Sequence, residues 1–70
     1  MKAYVNDGER DIAAFEDPNE AALCLPAMAR ALRRTLRVRY HGSVTVPLPH
    51  GVYQEIGKGD NQNPVITCRV

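Results

Sequence analysis

Tryptophan is absent from this 70-residue chain, phenylalanine occurs once, and aromatic residues make up only 6% of it. A broad stacking platform for bases is hard to assemble from Tyr4, Phe15, Tyr40 and Tyr53 alone. Serine occurs once, as Ser43, and histidine at His41 and His50 only. A Ser/His/Asp arrangement built from these has no strand-turn-helix elbow to present the nucleophile, so catalysis is not expected. The cysteines, Cys24 and Cys68, form no CxxC pair, and with the histidines they lack the short spacings of zinc ligands. They read as reduced, buried thiols, and neither a metal nor any other cofactor is expected. No run of 18 apolar residues and no basic-then-apolar leader is found, so the expectation is a cytoplasmic protein without a membrane span. "GKGD" at Gly57–Asp60 lacks the longer glycine frame and the Ser or Thr of a phosphate loop, and reads as a turn.

What is present is a globular composition, with 44% hydrophobic and 24% charged residues. Residues 1–70 make a single domain whose small core leaves little stability to spare. The charge is uneven. Residues 1–20 carry six acids against Lys2 and Arg10, a net of −4, whereas residues 21–41 carry Arg30, Arg33, Arg34, Arg37 and Arg39 with no acid, a net of +5. Such asymmetry bears on partners and encounter rates rather than on fold.

"AYVNDGERDIAAF" reads as a hairpin turning at Asp7-Gly8, since Asp-Gly suits the positive φ angles of a two-residue type I′ turn. That register sets Val5 opposite Arg10 and Ala3 opposite Ile12. It collects Met1, Ala3, Val5, Ile12 and Ala14 on one face and leaves Lys2, Tyr4 and Asp11 on the other. "EDPNEAALCLPAMARALRR" reads as a helix with Asp17 as N-cap, Pro18 at the first position and Glu20 completing a capping box. Ala21, Leu25, Met28, Ala29 and Leu32 form its apolar stripe. Pro26 should kink it or split it in two, which would let Leu23 turn inward.

From Thr35 the period becomes two: Leu36, Val38 and Tyr40 alternate with Arg37, Arg39 and His41, and Val44 and Val46 continue the apolar parity. Gly42 either bulges one long strand or divides two. "VYQEI" is a further strand with Val52 and Ile56 inward and Tyr53 outward. "VITCRV" is the last, with Ile66, Cys68 and Val70 on one face. The fold class is α+β: an antiparallel sheet of four to five strands packed on one helix, in the order ββα then βββ.

Arg30, Arg33 and Arg34 on the outer side of the helix and Arg37 and Arg39 on the outward parity of the next strand are expected to form one basic patch. Arginine suits bidentate contact with carboxylate or phosphate, and Tyr53 would add an aromatic anchor. The acidic tip at Asp7, Glu9 and Asp11 is a second surface, able to mimic phosphate.

A chain that opens "MKAYV", runs hairpin, helix and strands through "YHGSVTV", and ends in "VITCRV" resembles the small phage-encoded anti-CRISPR proteins that act on type I surveillance complexes. The resemblance implies a binder without catalysis that docks on Cas subunits and sterically blocks target DNA or nuclease recruitment. It carries over no individual residue. The alternative expectation is a small nucleic-acid-binding or regulatory protein using the same arginines, with monomer and homodimer both open.

Overall fold

Strict alternation in "LRVRY" sets the centre of the molecule. Leu36, Val38 and Tyr40 are buried while Arg37 and Arg39 are exposed, the pattern of a strand with one wet face. The computed structural model describes residues 2–56 and 64–69. Its elements are β1 (Ala3–Asn6), β2 (Asp11–Phe15), α1 (Pro18–Leu32), β3 (Leu36–Tyr40), β4 (Val52–Ile56) and β5 (Pro64–Cys68). The strands form one five-stranded antiparallel sheet in the order β2-β1-β3-β5-β4, and α1 packs on one side of it. The expected α+β order, ββα then βββ, is the observed one.

With β1 between β2 and β3, and β5 between β3 and β4, each flanking pair runs parallel and needs a crossover. The first crossover is α1. The second is the irregular segment 41–51, and it lies on the helix side: Asn19 Oδ1 accepts the Thr45 and Val46 amides at 2.9 and 3.4 Å, while Val44 and Leu48 pack against the core. The strand expected at Val44–Val46 is therefore not formed. Asn19, near the start of α1, offers those amides a partner that a sheet ladder would otherwise supply. Gly42 (φ 96°) turns the chain out of β3, and Gly51 (φ 86°) turns it into β4.

The hairpin register also differs from the expected one. Ala3 pairs with Phe15 and Val5 with Ala13, not Ala3 with Ile12. The cause is the loop. Asn6 Oδ1 accepts the Gly8 amide, Asp7 Oδ1 accepts the Glu9 and Arg10 amides, and the Asp7 amide donates to the Arg10 carbonyl. These bonds favour a four-residue loop over a two-residue turn. Ile12 becomes the extra residue of a bulge, so Ile12, Ala13 and Phe15 all touch the core and Ala14 is exposed. The expected place of Met1 on the inner face lies outside the described residues.

Asp17 caps α1 as expected, its Oδ1 accepting the Asn19 amide at 2.9 Å, and Pro18 occupies the first turn. Ala21, Ala22, Leu25 and Ala29 are buried, and the three alanines leave room for the helix to lie close to the sheet. The helix continues through Pro26 as one 15-residue element, so it is not split, and Leu23 stays 54% exposed instead of turning inward. Leu32, expected in the core, is 48% exposed. Cys24 is also exposed, contrary to expectation; Cys68 is buried, and both are free. Arg33 ends the helix in the left-handed conformation (φ 55°, ψ 42°), its amide and that of Arg34 both donating to the Ala29 carbonyl.

On the inner face of the sheet, Ala3, Val5, Leu36, Val38, Ile66 and Cys68 meet the helix in a single core. Val52 is buried as expected. The Ile56 side chain, Val70 and the turn expected at Gly57–Asp60 lie outside the described residues.

Candidate protein-contact face

Both crossovers cover the same side of the sheet, so among the described residues no element covers the other side. Its side chains stand in two cross-strand rows. One runs Ala14, Tyr4, Arg39, Val65, Glu55 from β2 to β4, and the other runs Asp11, Asn6, Arg37, Thr67, Tyr53. Residues opposite one another on one face are close enough to interact, and this face is knit by such pairs.

Arg39 donates to Asp11 Oδ2 at 2.5 Å and its guanidinium lies 5.8 Å from the Tyr4 ring centre. Asn6 donates to the other oxygen, Asp11 Oδ1, at 3.1 Å. The Asn6 bond first, and then Arg39, hold the Asp11 carboxyl below the usual carboxylate range. Toward the opposite edge the same combination recurs. Arg69 lies 5.6 Å from the Tyr53 ring centre and 3.9 Å from Glu55. Each cluster joins a cation, a ring and a carboxylate, a set of contacts that fixes long side chains before any partner arrives.

Arg37 stands between the two clusters. Among the described residues it has no carboxylate within salt-bridge reach. Beside it Thr67 is fully buried although it belongs to the outward row, and its Oγ1 has no hydrogen-bond partner among the described residues. Its cross-strand neighbours on that nominally wet face are the long side chains of Arg37 and Tyr53.

Arg37, Arg39 and Tyr53 are thus brought together. Arg30, Arg33 and Arg34 are not with them, because they belong to α1 and its exit on the other side of the sheet. Arg34 lies 3.7 Å from Asp7 and 3.8 Å from Glu9, tying the helix end to the β1–β2 loop. Asp7 is held below the usual carboxylate range, first by the Glu9 and Arg10 amides and then by the Arg34 charge. Arg33 serves as the helix terminator described above, and Arg30 borders a cavity of about 350 Å³ with Pro26, His50 and Arg69. The single basic patch expected from the sequence is divided in two, and the helix side of it is partly neutralised by the acidic tip.

Sequence reasoning placed Tyr4 and Asp11 outward but did not single out Tyr4, took Asp11 only as part of the acidic tip, and set Arg10 opposite Val5 on the strand. In the structure Arg10 closes the loop and borders an open groove on the uncovered face with Asn6, Asp11, Arg37, Arg39 and Val65. The signal for this lay in "NDGERD", whose Asn and Asp side chains can cap a longer loop.

Burial pushes the Cys68 thiol up, away from thiolate. His41 and His50 border separate cavities, and among the described residues no three His, Cys, Asp or Glu side chains gather as metal ligands would. No described helix is long and apolar enough to cross a membrane. Comparison with protein-family models, curated proteins and solved structures gives no match.

Proposed function

We propose that this chain is a non-catalytic interaction protein that engages a protein partner through the uncovered face of its sheet and acts by steric inhibition. The observation that carries the reading is the position of Arg37. It is an exposed guanidinium without a carboxylate among the described residues, set between two Tyr–Arg–carboxylate clusters that hold the surrounding surface in shape. Tyrosine and arginine are the residue types that dominate binding energy at protein interfaces. Asp11 and Glu55 lie on the same face, and their charge opposes a phosphate track, which favours a protein surface over nucleic acid.

The likeness in layout to anti-CRISPR inhibitors supports the Cas subunits of a type I effector as the first partner to test. Purified surveillance complex should lose target-DNA binding when the protein is added, and R37E or Y53A should restore it while R30E leaves inhibition intact. Absence of any effect on the complex removes the anti-CRISPR assignment. Affinity for bare DNA or RNA that falls steeply with salt would replace the protein partner by nucleic acid.

A further inference from the structure

The groove beside β1 on the uncovered face has a composition that narrows the partner's chemistry. It is an open space of about 540 Å³ lined by Asn6, Arg10, Asp11, Arg37, Arg39 and Val65. Three guanidinium groups surround one carboxylate, so the lining carries a net charge of +2. The Asp11 carboxylate is engaged on both oxygens, by Asn6 and by Arg39, and this fixes the Arg39 head group. Arg10 and Arg37 keep their full donor forks: among the described residues neither has a carboxylate within salt-bridge reach.

We propose that this groove recognises a carboxylate of an acidic protein segment, with Arg37 as the main donor and Arg10 as the second. The planar guanidinium fork matches a carboxylate through two parallel N–H···O bonds. Half-buried Val65, opposite Arg39 in the row, supplies an apolar surface for the methylene stem of a Glu side chain. Asp11 retains unused acceptor capacity toward a backbone N–H, since a carboxylate offers about four lone-pair sites. A ligand that pairs a carboxylate with a neighbouring amide fits this alternation of sign, and a phosphodiester chain does not, because it would also meet Asp11 and Glu55 with negative charge alone. The helix arginines have no part in the site.

The inference rests on the reading of the uncovered face as the contact surface and specifies its ligand. The test is a titration of the isotope-labelled full chain with a short, end-blocked peptide of alternating glutamate and glycine, following the arginine Nε–Hε signals by NMR. The Arg37 and Arg10 signals should move and saturate, R37Q should weaken binding about tenfold or more, and R30Q should leave it unchanged. Equal movement at Arg30, or unaltered affinity of R37Q, overturns the site. A single-stranded DNA oligonucleotide that binds more tightly than the peptide at physiological ionic strength overturns the choice of ligand. Failure of the peptide while Y53A still abolishes binding to the surveillance complex removes the groove alone and leaves the face as the contact surface.

Discussion

Replacing Arg33 with glycine should make the protein more stable than replacing it with alanine, the reverse of the order found inside a helix. Arg33 has φ 55° and ψ 42°, and its amide and that of Arg34 close the helix on the Ala29 carbonyl. A Cβ in the left-handed region costs about 1–2 kcal/mol, and glycine gives back about 0.5–1 kcal/mol in unfolded-chain entropy. At mid-range values the difference between R33G and R33A is thus about 0.75 kcal/mol in favour of glycine, or roughly 3–6 °C in Tm for a domain of this size. Both variants lose the same charge near the negative helix end, so that contribution cancels between them. A27G supplies the contrast: Ala27 is exposed within α1, and glycine there should cost about 1 kcal/mol. Thermal melts and urea midpoints of the three variants decide the matter. If R33A is as stable as R33G, α1 does not end in the left-handed conformation in solution and leaves toward β3 by another path.

The remaining predictions concern other local causes. T67V removes a buried hydroxyl that has no hydrogen-bond partner among the described residues while keeping the side-chain shape, and should raise stability by about 1 kcal/mol, seen as a higher urea midpoint at unchanged m. N19A removes the acceptor of the Thr45 and Val46 amides; it should cost about 1–2 kcal/mol and speed hydrogen exchange at Thr45. Asp7 titrates below the usual carboxylate range in the folded state, so its stabilising effect is complete above the unfolded-state pKa and is lost as pH falls through the folded one. The wild-type urea midpoint should therefore drop between about pH 5 and pH 2 more than that of D7N. An unchanged difference across that window would rule out the Asp7 contacts as a source of stability.

Much of this architecture is written locally. The alternation of "LRVRY" announces β3, "DPNE" announces the start of α1, and "VITC" places Ile66 and Cys68 inward, because period and capping chemistry act over a few neighbouring residues. Where a distant side chain or a loop intervenes, local pattern misleads. "SVTV" alternates as well as "LRVRY" does, yet Asn19 takes two of its amides and the segment becomes a crossover. The hairpin pattern allowed a two-residue turn, but the Asn6 and Asp7 side chains took the Gly8, Glu9 and Arg10 amides, made a four-residue loop and shifted every pair.

The candidate face shows the same division most plainly. Sequence by itself determined that Arg30, Arg33 and Arg34 point away from the helix's apolar stripe and that Arg37 and Arg39 point away from the strand's apolar side. Only the tertiary structure decided that these are opposite directions. In a two-layer fold the helix and the sheet bury facing surfaces, so the outside of one layer looks away from the outside of the other. That geometry leaves Arg37 and Arg39 with Tyr4, Tyr53 and Arg10 on the uncovered sheet, and keeps Arg30, Arg33 and Arg34 with the helix layer, Arg34 against the acidic β1–β2 loop.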